Sequence, residues 1–244
     1  MPAPAPAEPV FRSDVSVELV KHTASDADVL FAARVSTVGE QSLKEVGKDP
    51  ERSKGLINYL MRESHGSPFE HTSMTFLISA PIFVFREFMR HRAGWSYNES
   101  SGRYRELEPV FYLPDTDRKL VQKGKPGHYT FVDGPDGMHD FVCVQMEIAY
   151  REAYERYEEM LAAGVAREVA RSVLPVGLFS SAYATCNARS LMHFLSLRTQ
   201  NELAKVPSHP QREIEMVAEQ MEAAWAKLMP LTHEAFNTHG RVAP

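Results

Sequence analysis

The stretch "HTSMTFLISAPIFVFREFMRHRAGWSYNESSGRY", His71 to Tyr104, carries two hydrophobic periods in succession and then loses both. From His71 to Ala80 apolar and polar residues alternate, the spacing of a strand. From Pro81 onward Ile82, Phe85, Phe88 and Met89 recur at helical spacing, and Gly94 supplies a stop. That helix delivers Arg90, His91 and Arg92 into a Ser-, Asn- and Gly-bearing run that reads as a loop.

Upstream, Val15–Thr23 alternates and predicts a strand. Asp26 is positioned to cap a helix through "ADVLFAARVS", and residues 39–49 read as loop. A helix starting at Pro50 is expected to bury Leu56, Tyr59 and Leu60 on one face. Downstream, residues 115–138 are rich in Gly and Pro and read as an exposed excursion. A long amphipathic helix, His139 to Ala162, stops at Gly164, and a short one through "AREVARSVL" ends before Pro175. "GLFSSAYAT" reads as a strand, and "NARSLMHFLSLR" and "REIEMVAEQMEAAWAKLM" as helices. The Pro/Ala-rich residues 1–13 are expected to be a disordered or extended tail, and 14–244 a single α+β domain.

The 244 residues carry 27 basic and 32 acidic side chains, a net charge of −5, which argues against a large non-specific nucleic-acid surface. No apolar run approaches the ~18 residues of a membrane span, since "APIFVF" stops at Arg86. Two cysteines cannot make a disulfide framework, so a cytoplasmic setting is expected.

Three clusters can carry chemistry. Arg86 and Arg90, four residues apart, are neighbours on one helix face, and such a like-charge pair costs about 0.2–0.5 kcal/mol unless an anion lies between them. Alone they read as dipole-favoured charges at a helix end. The following Ser100, Ser101, Gly102 and Arg103 add hydroxyls, amides and a guanidinium fork, a reasonable phosphate cradle that matches neither the Walker nor the Rossmann pattern. The second cluster, "ESHGSPFEH", holds His65, Glu70 and His71 but has no standard metal-ligand spacing, and no metal is expected. In the third, Leu191, Phe194 and Leu195 form a core stripe. Arg189 and His193 share a face, while Arg189 and Arg198, nine positions apart, point to opposite sides. There is no GxSxG elbow, and Cys143 and Cys186 sit in no redox motif. A chain rich in Arg, Ser, Asn and His without a nucleophile fits an enzyme that leaves the chemistry to a cofactor. The competing readings are a nucleic-acid-binding module and a metal-dependent nucleotide hydrolase built on His65, Glu70 and His71.

Arg90-His91-Arg92, a spacer, then Ser96-Tyr97-Asn98-Glu99-Ser100-Ser101-Gly102-Arg103-Tyr104 resembles the motif of the flavin-dependent thymidylate synthases. "LINYLMRESHGSPFEH", "PIFVFREFMRHR", "VARSVLP" and "NARSLMHFLSLR" resemble further segments of that family in matching order, over roughly residues 14 to 229. The spacer is one residue longer than the family pattern: reading back from Gly102-Arg103-Tyr104 makes Ser101 the family serine, and reading forward from Arg90 favours Ser100. The segment "TQNELAKVP" after Arg198 is also longer, which leaves the role of His209 open.

The resemblance implies a small central antiparallel sheet flanked by helices. It implies conversion of dUMP to dTMP with methylenetetrahydrofolate, NADPH and FAD, in a cytoplasmic homotetramer whose active sites are shared between subunits. It places Glu87, Phe88, Met89, Arg90, Glu99, Ser100, Ser101, Gly102, Arg103, Arg171 and Arg198 at dUMP, with Arg198 catalytic. It places Ser67, Glu70, Arg90, His91, Arg92, Glu99, Asn187, Arg189 and His193 at FAD, and His65 beside the folate or nicotinamide. No nucleic acid or membrane partner is implied.

Overall fold

The computed structural model describes residues 8–39, 49–125 and 128–244. In chain order the elements are β1 (Val10–Arg12), β2 (Ser16–Thr23), α1 (Asp26–Val38), α2 (Pro50–Arg62), β3 (Ser73–Pro81), α3 (Ile82–Phe88), β4 (Trp95–Glu99), β5 (Val110–Tyr112), β6 (Val121–Lys125) and β7 (His128–Val132). They continue with α4 (Met138–Ala162), α5 (Arg167–Ala170), β8 (Phe179–Cys186), α6 (Ala188–Arg198), α7 (Arg212–Leu228) and α8 (Pro230–Thr238). The fold is α+β, as expected. Its main sheet has the order β2-β3-β8-β4, with β2 antiparallel to β3 and β4 antiparallel to β8.

Two compact units can be described. The larger comprises the described residues of 15–80, 84–99 and 181–244 and contains most of that sheet. Its core is built from Phe76 and Ile78 of β3, Val29 and Leu30 of α1, Ile57 of α2, and Val217, Met221 and Trp225 of α7. The smaller comprises the described residues of 8–14, 81–83 and 100–180. Here Phe111 stacks on Tyr150 of α4 at 4.8 Å, and Tyr154, Tyr157 and Leu178 complete the cluster. Two of the tyrosine hydroxyls grip one residue: Tyr157 Oη accepts from the Leu107 amide at 3.2 Å, and Tyr154 Oη donates to the Leu107 carbonyl at 3.1 Å.

Several expectations need correcting. Residues 95–99 are a strand and not a loop: Trp95 and Tyr97 lie opposite Cys186 and Ala184, small residues that leave room for their rings, while Ser96 and Asn98 lie opposite Thr185 and Tyr183. Asp26 does cap a helix, but not its own. Its carboxylate accepts from the Leu231 and Thr232 amides at 2.9 Å, in the first turn of α8, while the Ser25 hydroxyl caps α1. The buried face of α2 is Ser53, Ile57, Leu60 and Met61; Tyr59 is exposed and Leu56 only half-buried. Residues 10–12, inside the supposed tail, form β1 and pair in parallel with β5. The 115–138 excursion holds an antiparallel hairpin, β6–β7. Helix α8 was not foreseen. The 39–49 loop lies, apart from its two ends, outside the described residues.

Candidate functional site

In the larger unit the motif turn and helix α6 are brought together by a glycine. Gly94 has φ +69°, and a Cβ there would stand 2.1 Å from Ser190 Oγ and 2.9 Å from Asn187 Nδ2. Only a residue without a side chain permits this approach. Ser190 Oγ then donates to the Ala93 carbonyl at 2.8 Å, and Asn187 caps α6 by accepting from the Ser190 amide at 2.8 Å.

A second glycine serves Arg189. A Cβ on Gly66 would lie 2.5 Å from Arg189 Nε and 2.6 Å from Cζ. The guanidinium donates to Glu70 Oε1 and to the Pro244 carbonyl, both at 2.5 Å. The turn carrying Ser67 and Glu70 is tied to α6 through Thr72, whose hydroxyl accepts from the Ala188 amide at 2.9 Å. Ser67, Glu70, Asn187 and Arg189, distant in sequence, therefore surround the start of one helix.

The far end of α6 carries a different constellation. Arg198 Nη1 pairs with Glu87 Oε2 at 2.7 Å, and Arg198 Nε donates to His91 Nε2 at 3.1 Å. His91 is 7% exposed. Burial first, then the charges of Arg198 and His193, lower its pKa from 6.5 to about 4. At neutral pH it is therefore an uncharged imidazole able to accept from Arg198. The His193 ring lies 6.3 Å from that of His91. Thus the two arginines of α6 have separate partners, as their spacing implied.

Beneath His91 lies an aromatic box the sequence reading did not identify. Phe88 packs against Phe194 at 4.6 Å, Trp95 at 5.3 Å and Tyr97 at 5.7 Å, and Trp95 stacks on Tyr97. Tyr97 Oη donates toward the carbonyls of His91, 2.8 Å, and Phe88, 3.2 Å, which pins the turn. Burial pushes the Tyr97 phenol well above its ordinary range, so it stays protonated. The Phe88 side chain is fully buried and cannot touch a ligand; that expectation survives only for its backbone. Met89 is half-buried, while Arg90, Arg92 and Glu99 are exposed. The alternation of aromatic and polar residues in Trp95–Glu99 was the signal for this box. Ser96 and Asn98 line a depression of about 380 Å³ together with Lys21, Thr75, Tyr183 and Thr185.

In the smaller unit, Ser101 opens a tight turn: its hydroxyl accepts from the Arg103 amide at 3.3 Å and its carbonyl from the Tyr104 amide at 3.1 Å. Gly102 is buried, and a Cβ there would stand 2.7 Å from Leu107 Cδ1 and 3.2 Å from Arg171 Cδ. Arg171, nearly seventy residues away in sequence, is thereby set against the Ser101-Gly102-Arg103 turn. Arg103 itself pairs with Glu168 at 3.0 Å on the surface. His65 is exposed, with its ring edge-on to Tyr59 at 5.6 Å. Cys186 is buried and Cys143 is half-buried beside His139, and burial is the first cause that raises both thiols above their ordinary range, against thiolate chemistry.

No helix among the described residues is long and apolar enough to cross a membrane. Residues 18–231 match the thymidylate synthase complementing protein family. A flavin-dependent thymidylate synthase of Streptomyces avermitilis is 78% identical over 237 residues, 97% of this chain and 96% of that one. The protein of the same name from Tropheryma whipplei (strain TW08/27) is 56% identical over 237 residues, 97% and 98% of the two chains. A crystal structure of the UMP/dUMP methylase PolB from Streptomyces cacaoi, bound with 5-Br dUMP, superposes with a TM-score of 0.91 at 59% identity, over 96% of this chain and 100% of that one.

Proposed function

The chain belongs to the flavin-dependent thymidylate synthase family, and on that premise we propose that it converts dUMP to dTMP, drawing a one-carbon unit from methylenetetrahydrofolate and reducing equivalents from NADPH through FAD. It is a methyltransferase and a flavoprotein. What supports the reading most is that the motif residues 90–104, Arg171 and the two arginines of α6 stand in family order inside a match running from residue 18 to residue 231.

The residues fit a flavin. Ser67 and Arg189 are exposed at the start of α6 beside the half-buried Asn187, and together they offer a hydroxyl, a guanidinium and an amide to a polar, anionic cofactor. We assign Ser67, Asn187, Arg189, His91, Arg92, Glu99 and His193 to holding FAD, with Glu70 orienting Arg189 and His65 next to the folate or nicotinamide. FAD supplies a two-electron carrier, which this chain's own side chains lack.

The nucleotide falls to Ser101, Gly102, Arg103 and Arg171, whose turn amides and guanidinium forks suit phosphate oxygens, together with Arg90, Met89 and the Phe88 backbone. In the homotetramer we propose, different subunits contribute to one active site. Arg198 acts on the pyrimidine. Glu87 and the neutral His91 engage its Nη1 and Nε and hold the guanidinium plane. Its remaining edge can meet a uracil carbonyl and stabilise negative charge that develops on the ring as C5 reacts. A protonated His91 would repel Arg198, so its low pKa is part of that arrangement.

The test is an omission series with purified protein: dTMP forms from dUMP only when FAD, NADPH and methylenetetrahydrofolate are all present. Product formation without FAD, or none in the complete mixture, overturns the reading. Because PolB is a UMP/dUMP methylase, UMP belongs beside dUMP in the same assay; turnover of UMP at a comparable rate would widen the substrate to both nucleotides.

A further inference from the structure

Arg241 is an arginine in an unusual place. Its side chain is 1% exposed, and its backbone has φ +55°, in the left-handed region that L residues other than glycine and asparagine rarely adopt. The guanidinium forks both oxygens of Glu222 at 2.7 Å, donates to Asn237 Oδ1 at 2.6 Å, and lies over the Phe236 ring at 4.9 Å. Burial alone would raise the Glu222 pKa, but hydrogen bonds from His233 and Arg241 outweigh it and hold the carboxylate at about 2. Arg241 Nη2 also donates to Thr199 Oγ1 at 2.9 Å.

Thr199 is the residue after Arg198 and the C-cap of α6. It is buried, and its amide and hydroxyl both donate to the Leu195 carbonyl, at 3.0 and 2.7 Å. Its own carbonyl accepts from Ser208 Oγ at 2.5 Å. The segment after Arg198, longer than the family pattern, is thus folded back on Thr199. It is also tied to Gly240, whose carbonyl accepts from the Lys205 amide at 2.8 Å. At the other end of α6, Pro244 holds Arg189.

A buried ion pair is a poor source of stability compared with apolar packing, and a left-handed arginine adds strain. What such a pair supplies is one fixed geometry. We propose that Gly240–Pro244 and the 199–208 loop form a clip on helix α6, and that Arg241 is a positioning residue that sets the pose of Arg198 through the Thr199 hydroxyl. This rests on the reading of Arg198 given above. Displacement of a functional group by about 1 Å can cost on the order of a hundredfold in rate, and the Arg198 guanidinium sits at the end of a long side chain next to the clip.

Replacing Arg241 leaves Glu222 buried without its partner, and such a variant can fail to fold. The decisive pair is therefore Thr199→Val and Thr199→Ser, which leave the Arg241–Glu222 pair in place. Crystal structures of both give a readout independent of activity: Thr199→Val loses the Arg198 Nε–His91 Nε2 bond, and Thr199→Ser keeps it. In flavin-loaded protein, kcat falls at least about tenfold in Thr199→Val and the dUMP dissociation constant rises, while Thr199→Ser stays within about twofold of wild type. A Thr199→Val structure with Arg198 unmoved, or unchanged kcat and dUMP binding alongside a lowered melting temperature, reduces the clip to a structural device and overturns the proposal. A wild type that makes no dTMP overturns the functional reading instead, while the crystallographic comparison still decides whether Thr199 positions Arg198.

Discussion

Arg198→Ala removes three things at once: the 2.7 Å pair with Glu87, the 3.1 Å bond to His91, and the charge offered to the pyrimidine. The stability cost is bounded by exposure. Arg198 is 20% and Glu87 30% exposed, so water can partly replace the guanidinium around the carboxylate. The expected loss is about 1–2 kcal/mol, within what a folded domain tolerates. His91 loses the neighbouring charge that helps to keep it neutral, but burial, the larger cause, remains. The catalytic cost is larger. Preorganised charge at a site of developing negative charge is worth about 3 kcal/mol or more, on the order of a hundredfold in kcat. The variant should keep most of its flavin, since Ser67, Asn187 and Arg189 at the other end of α6 stay in place although His91 loses its bond to Arg198, and should lose turnover. The assay is dTMP formation per bound flavin, with a thermal melt on the same sample. Near-normal turnover in a folded, flavin-loaded variant would refute the role given to Arg198.

Stability should depend on pH through His91. Its folded pKa of about 4 lies below the ordinary 6.5, so between those values the unfolded chain takes up a proton that the folded chain refuses. The contribution is complete above pH 6.5 and declines toward pH 4 by up to roughly 3 kcal/mol; urea midpoints across that range should fall with pH and do so less in His91→Asn, whereas equal slopes would contradict the assignment. Ser101→Ala should weaken dUMP binding by about 1 kcal/mol or more and Ser100→Ala by less, because the Ser101 hydroxyl is fixed by the turn at Arg103. Titrating dUMP against flavin absorbance decides it, and the reverse order would shift the motif register by one residue. Replacing Cys143 and Cys186 together by Ala should leave dTMP formation largely intact apart from a modest packing loss of about 1 kcal/mol; an inactive but folded, flavin-bound double variant would mean that a protein nucleophile has been overlooked.

Helix α6 was legible because its signals are local: Leu191, Phe194 and Leu195 at helical spacing, and Arg189 and Arg198 half a turn out of phase over nine residues. Strand β4 was misread because Ser96, Asn98 and Glu99 look like loop chemistry. The alternating Trp95 and Tyr97 make sense only beside Cys186 and Ala184, about ninety residues away. Phe88 illustrates the limit of carrying a motif over whole, since its helical spacing already marked it as core. The meeting of Gly102 with Arg171, and of Arg241 with Glu222 and Thr199, had no local sign at all. A charged residue destined for burial reads in sequence like one destined for solvent, and only the Gly before Arg241 hints at the unusual backbone there.

The central claim, that the methyl group is completed with electrons delivered through the flavin, is tested most directly by the folate product of a single turnover. Turning a methylene into a methyl group takes two electrons. If they come through FAD, anaerobic reaction of pre-reduced, flavin-loaded protein with dUMP and methylenetetrahydrofolate should give one dTMP per flavin oxidised, and the folate should leave as tetrahydrofolate. Dihydrofolate as the product, with the flavin still reduced, would mean that the folate itself supplied the electrons and would contradict the account.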